Sequence, residues 1–130
     1  MKTVLFICVH NSGRSQMAEV FFNQMSQGKA KAISAGSEPA DEVNPTVVEV
    51  MREAGIDISR NKPRLLTQEM MKGIDRAISM GCENSCPYTT VKLEDWALED
   101  PKDKPIEQVR KIRDEIKNRV KKLIEQITPK

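Results

Sequence analysis

Aromatic residues are scarce in this 130-residue chain: three Phe, one Tyr and one Trp. That is too few for the stacking platform that grips single-stranded nucleic acid. Charge of one sign is not in excess either, with 21 Lys and Arg against 19 Asp and Glu and a formal net charge of +2. No block of Lys and Arg stands apart as a patch for nucleic acid or a membrane surface, so neither partner is expected. Nowhere does the chain approach the roughly 18 consecutive apolar residues of a membrane span. Lys2 followed by Thr3–Val9 could mimic a signal peptide, but no small-x-small cleavage site follows before Asn11, Ser12 and Arg14. Cysteines are few and odd in number, Cys8, Cys82 and Cys86. An odd count excludes a secreted disulfide framework and points to reduced thiols. The expectation is a soluble, cytoplasmic monomer.

What is present is enough hydrophobic sequence, 38%, for one core over a single domain spanning 1–130. Val4–Val9 is an unbroken apolar run rich in β-formers, as in the centre of a parallel sheet. His10-Asn11-Ser12-Gly13 breaks it with turn formers. From Arg14 the apolar residues Met17, Ala18, Phe21, Phe22 and Met25 recur at helical spacing, and Gly28 ends the helix. A strand over Ala30–Ser34 follows. Asn44-Pro45 starts a second helix with inner residues Val47, Val50, Met51 and Ala54. Thr67 caps a short helix that ends near Gly73, and Asp75–Met80 reads as another strand. Residues 82–90 read as a loop or an irregular short helix. Ile106, Val109, Ile112, Ile116, Val120, Leu123, Ile124 and Ile127 mark a last helix of about six turns. Strands alternating with helices predict an α/β domain, a short parallel sheet with helices on both faces.

In such sheets ligands bind at the carboxyl ends of strands, and Cys8 ends the first strand. Cys8-Val9-His10-Asn11-Ser12-Gly13-Arg14-Ser15 places a thiol and a guanidinium on either side of five residues, between strand and helix. Successive backbone N–H groups of Val9, His10, Asn11, Ser12, Gly13, Arg14 and Ser15 can form an anion nest at the positive end of the helix. Arg14 can hold two oxygens of a tetrahedral oxyanion through its planar fork. The same positive field favours the thiolate of Cys8, the nucleophilic form. Ser15 can donate its hydroxyl to that thiolate, and Asn11 can take up a left-handed backbone that braces the loop. His10, the only histidine, is read as a rim residue rather than a general base.

Cys82 and Cys86 follow the third strand and admit three readings: packing residues, a zinc set completed by Cys8 and His10, or a redox pair. Zinc would consume the thiolate the loop is built to activate, so no metal is expected. On a helix the two Cβ atoms would lie about 5–6 Å apart, whereas a disulfide needs roughly 3.5–4.5 Å. Gly81, Asn84, Ser85 and Pro87 make the required rearrangement cheap, so the segment is expected to change structure on oxidation. Departure of an oxide or hydroxide from phosphorus or arsenic is helped by a general acid. Asp100, before Pro101, is the first candidate, with Asp95 and Asp103 close by.

These residues, with Gln16-Met17-Ala18-Glu19, Ser34-Ala35-Gly36, Gly55-Ile56-Asp57-Ile58-Ser59 and Trp96 ahead of Asp100-Pro101, resemble the arsenate reductases of the low-molecular-weight protein tyrosine phosphatase fold. The resemblance implies a three-layer α/β fold with a four-stranded parallel sheet, flavodoxin-like in winding. It implies that Cys8 attacks arsenate held by the loop amides and Arg14, while Asp100 assists loss of hydroxide. Cys82 would then attack the adduct and release arsenite, leaving a Cys8–Cys82 disulfide. Cys86 would turn this into Cys82–Cys86, for reduction by thioredoxin, or by glutaredoxin or mycothiol in some relatives. No bound cofactor is implied, and phosphate or sulfate would compete with arsenate. Some members bind potassium near residues matching Asn11, Glu19 and Ser34; here Arg64 stands where an acidic partner would be expected. Two other functions compete with this one. A phosphotyrosine phosphatase would use the same loop, but the chain offers few aromatic walls for the ring. A non-catalytic oxyanion or metalloid sensor would need a DNA-recognition helix, and none is evident.

Overall fold

The computed structural model describes residues 2–81 and 93–128. The apolar run at the start forms β1 (Lys2–Cys8), in which Val4, Leu5, Phe6 and Ile7 are wholly buried. Alternate side chains of a strand face opposite sides, and here both sides are covered. Val4, Phe6 and Cys8 join the large core cluster, while Leu5 and Ile7 join a second, smaller one. Continuous hydrophobicity in place of alternation is therefore the signature of a central strand.

Around it lie α1 (Arg14–Met25), β2 (Ala30–Gly36), α2 (Pro45–Glu53), α3 (Gln68–Met71), β3 (Arg76–Ser79), β4 (Leu93–Asp95) and α4 (Ile106–Ile127). The sheet has the order β2-β1-β3-β4, and every pairing is parallel. This is the flavodoxin-like winding. The chain leaves β1 to one side for β2, then returns to the other side for β3. The crevice at that reversal lies beyond the carboxyl ends of β1 and β3, where Cys8 and Met80-Gly81 sit.

Helices α1, α2 and α4 cover one face through Phe21, Phe22, Val47, Val50, Val109, Ile116 and Val120. The other face carries the short α3, with Leu66, Met71 and Ile74 closing over Leu5, Ile7 and Ala77. Helix α2 begins as its sequence predicts, Asn44 accepting from the Thr46 amide and Pro45 at the first turn. Thr67 caps α3 in the same way through the Met70 amide. Across the back, Arg110 and Arg113 both bind Glu53, joining α4 to α2. Strand β2 is an edge, and Asn23 of α1 satisfies it by pairing its amide with both backbone groups of Ala32.

The strands differ from expectation at their ends. β1 ends at Cys8 as expected but starts at Lys2, two residues before the apolar run, β2 continues to Gly36, and β3 is only Arg76–Ser79. Strand β4 has no counterpart in the residue-by-residue reading; it is three residues long, and Glu94 and Asp95 are exposed. Among the described residues, no helix is long and apolar enough to cross a membrane.

Ile116 is wholly buried on α4 within the main core. Ile116→Ala is expected to cost about 2–5 kcal/mol, read as a lower urea midpoint at unchanged slope. A wild-type midpoint would show that α4 does not pack against the sheet in this way.

Candidate active site

The loop between β1 and α1 is shaped by where its carbonyl groups go. The carbonyl oxygens of Val9, His10, Ser12 and Gly13 accept from the amides of Glu38, Ala40, Asn44 and Met17, at 2.8–3.0 Å. That of Asn11 accepts from the side-chain amide of Gln16 at 3.2 Å. Five successive carbonyls are thus taken up by surrounding structure. A trans peptide is planar, so its N–H points opposite to its C=O. The N–H groups of residues 10–14 must therefore turn away from those partners, toward the interior of the loop. The Asn11 amide shows the direction directly, donating to Cys8 Sγ at 3.2 Å. The result is a ring of donors around one sulfur.

Bending five residues so tightly requires a left-handed turn, and Asn11 supplies it with φ of +50°. Its side chain holds the bend in place. Asn11 Oδ1 accepts from the Arg64 backbone amide at 2.8 Å and from Gln16 Nε2 at 3.1 Å. Its Nδ2 donates to Ser15 Oγ at 2.7 Å and to Ser34 Oγ at 3.1 Å. Because Ser15 Oγ already accepts from Asn11, its own hydrogen is available to Cys8 Sγ, 2.8 Å away. A hydroxyl and an amide therefore both converge on the Cys8 sulfur, which is free of any disulfide and 2% exposed.

Arg14 opens α1 and is almost wholly buried. Its Nη1 donates to the carbonyls of Met80, at 2.5 Å, and Leu98, at 2.9 Å. Its Nη2 lies 3.8 Å from Asp100 Oδ2, so of the three acids considered, Asp100 is the one placed at the guanidinium. Asp100 Oδ1 accepts from the Lys102 amide, which fixes the start of the turn. The Asp100-Pro101 turn can reach the loop because residue 13 is glycine: a Cβ there would stand 2.9 Å from the Pro101 ring. Asp95 lies elsewhere, on Ser79 and Gly81, and Asp103 takes a left-handed turn with φ of +61°. His10 faces outward, its Nδ1 3.1 Å from the Glu38 carbonyl.

Beside the loop opens a groove of about 560 Å³ lined by His10, Ser12, Pro39, Asp41, Asp100 and Lys102, among others. No aromatic side chain lines it among the described residues. Beneath the loop, Glu19 is paired with the Arg64 guanidinium at 3.2 Å. Gln16 is a site residue to which the sequence reading assigns no role. It is buried and binds Asn11, the Lys62 carbonyl and Asn61; it precedes the apolar stripe that starts at Met17 and lies on the other side of α1, so helical periodicity gives no sign of it. Cys82 and Cys86, and with them the zinc and redox-pair readings, lie outside the described residues. Among the described residues, no cluster of three or more His, Cys, Asp or Glu could hold a metal ion.

A cysteine sulfur faced by N–H donors, with an arginine fork beside it at a sheet's switch point, is an arrangement suited to attack on a bound tetrahedral oxyanion. The chain belongs to the low molecular weight phosphotyrosine protein phosphatase family, whose model matches residues 3–130. Within that family its relatives include a glutaredoxin arsenate reductase of Synechocystis, 39% identical over 98% of this chain and the whole of that one. A solved arsenate reductase in its phosphate-binding state superposes with a TM-score of 0.89, at 39% identity, over 98% of this chain and all of the other. The thioredoxin-dependent arsenate reductase of Corynebacterium glutamicum gives 0.83 at 38% identity, over 98% of this chain and 62% of that chain.

If Ser15 donates to the Cys8 sulfur, Ser15→Ala should slow alkylation of Cys8 by iodoacetate at pH 7 by about tenfold, since a hydrogen bond to a charged group is worth roughly 1.5–3 kcal/mol. An unchanged rate would remove Ser15 from any part in stabilising the thiolate.

Proposed function

We propose that this chain reduces arsenate to arsenite by a relay of three cysteines. The observation that carries the reading is the ring of inward amides around Cys8 with Arg14 at its side. Such a ring fits a small tetrahedral anion, and relatives of about 38% identity carry the name arsenate reductase. The oxyanion is held by the backbone N–H groups of Val9, His10, Asn11, Ser12, Gly13, Arg14 and Ser15 together with the Arg14 fork. No bound metal or cofactor enters the scheme.

In the first step the Cys8 thiolate forms a sulfur–arsenic bond, and hydroxide leaves as water with a proton from Asp100. Arsenic is still in its +5 state. The Cys82 thiolate then attacks Cys8 Sγ: a sulfur–sulfur bond forms and the sulfur–arsenic bonding pair stays with arsenic, which departs as arsenite. Cys86 attacks Cys82, releasing the Cys8 thiolate and leaving a Cys82–Cys86 disulfide. A dithiol protein of the thioredoxin class restores both thiols by exchange. The Corynebacterium relative's thioredoxin dependence supports that partner, while the Synechocystis relative's name points to glutaredoxin.

The same loop serves phosphomonoester hydrolysis through a phosphocysteine, and the family name favours this as a second activity. The groove beside the loop, without aromatic walls among the described residues, offers little to a phosphotyrosine ring. Phosphatase activity is therefore expected to be weak.

Cysteine variants separate the two activities. Cys8→Ser should abolish both arsenate reduction and hydrolysis of p-nitrophenyl phosphate. Cys82→Ser and Cys86→Ser should stop multiple-turnover arsenate reduction while leaving the hydrolysis largely intact. Arsenate-treated Cys86→Ser should accumulate a Cys8–Cys82 disulfide visible by peptide mass spectrometry. Wild-type turnover of arsenate by Cys82→Ser with thioredoxin would overturn the relay.

A further inference from the structure

The Arg14 fork is useful only if one edge is tied down and the other is left for the anion. The tie is made by two main-chain carbonyls, Met80 just past β3 and Leu98 in the loop after β4. Neither carbonyl is held by the oxyanion loop itself, so something must fix their positions. Asp95, at the end of β4, is the common partner of both segments. Its Oδ1 accepts from Ser79 Oγ at 2.7 Å and from the Gly81 amide at 2.8 Å, the two residues that flank Met80. The Ala97 amide, immediately before Leu98, adds to the stabilisation of the same carboxylate. Partial burial pushes the Asp95 carboxyl up, but the bonds from Ser79, Gly81 and Ala97 and the nearby charge of Arg14 outweigh it and hold the group below the usual carboxylate range.

Gly81 completes the arrangement. It takes a φ of +89°, and a Cβ there would stand 2.8 Å from the Leu98 oxygen and 2.9 Å from Arg14 Nη1. Any side chain at residue 81 would therefore enter the space where the Leu98 carbonyl meets the guanidinium. We infer that Asp95 and Gly81 are positioning residues for oxyanion binding, acting through the Met80 and Leu98 carbonyls to set the direction of the Arg14 fork. Neither touches the anion. Their placement also pins the Gly81 amide, immediately before Cys82, to the end of β4.

This inference rests on the reading of the loop as an oxyanion site, and its test avoids arsenate turnover so that the two can fail separately. Inorganic phosphate is titrated calorimetrically into the reduced full-length protein. Asp95→Ala should weaken phosphate binding about tenfold or more, as expected for a small misplacement of a binding group. Asp95→Asn, which keeps an acceptor oxygen, should stay within about threefold of wild type. Because the effect passes through the guanidinium, Asp95→Ala should cost nothing further in an Arg14→Lys background. Gly81→Ala leaves the Asp95 carboxylate in place and should show the same loss and the same dependence on Arg14, which keeps the test decisive if Asp95→Ala does not fold. Wild-type phosphate affinity in these variants would overturn the inference, as would a loss that persists in full when residue 14 is lysine. Phosphate binding lost as expected, in a protein that proves unable to reduce arsenate, would leave the inference standing and remove the proposed relay.

Discussion

Asn11, held at a φ of +50° with all its side-chain polar atoms bonded, is the constraint on which the site depends. A left-handed residue in mid-loop reverses the chain within five residues, and only then can successive carbonyls all face outward. The outward carbonyls find amides on the β2–α2 segment and at the start of α1. Their N–H groups are left to face Cys8. The proposed anion site is thus made by main chain, and the surrounding fold acts by occupying the carbonyls rather than by adding positive charge. On the proposed reading, a chain with a net charge of only +2 therefore needs no basic surface to hold a small anion. The field is local, built from dipoles fixed before the anion arrives.

The parts legible in the sequence are those whose signal lies in side-chain pattern. β1 is apolar throughout because it is buried on both faces, and α4 keeps its inner stripe for 22 residues. The order of thiol, five loop residues and arginine places Cys8 and Arg14 correctly at a strand end and a helix start. β4 is not legible, because Leu93-Glu94-Asp95 is an edge strand too short and too exposed for any period to show. The anchors of Arg14 are hidden for a different reason. Met80 and Leu98 bind it through carbonyl oxygens, and a carbonyl is carried by every residue type. Asp95 stands out in the sequence only as a possible proton donor, since its bonds to Ser79 and Gly81 join segments 16 and 14 residues apart.

The same loop can support two chemistries because its part ends with a sulfur bonded to the central atom of the oxyanion. The outcome is then decided by the second nucleophile. Water attacking phosphorus returns the thiolate and phosphate with no change of oxidation state. A thiolate attacking Cys8 Sγ instead leaves the bonding pair on the central atom, and arsenic(V) accepts that pair where phosphorus(V) does not. The redox character of the proposed reaction therefore comes from adding Cys82 and Cys86 and from the choice of anion, while the loop contributes binding and the Cys8 sulfur that Cys82 attacks as arsenite leaves. A phosphatase family can in this way hold a reductase without remodelling its nucleophile.

Glu19 shows how the lower side of the loop is balanced. Its side chain is only 10% exposed, and a carboxylate withdrawn from water costs several kcal/mol unless a cation answers it. Here the answer comes from within the chain: the Arg64 guanidinium lies 3.2 Å away, while the Arg64 amide bonds Asn11 Oδ1. One residue thus neutralises the buried acid with its side chain and braces the left-handed turn with its backbone. Because the Arg64 side chain is half exposed, the pair itself adds little stability. Its importance lies in the asymmetry of buried charge: with Arg64 present Glu19 is tolerated, and without it Glu19 would be an unanswered negative charge directly beneath a site that must attract an anion.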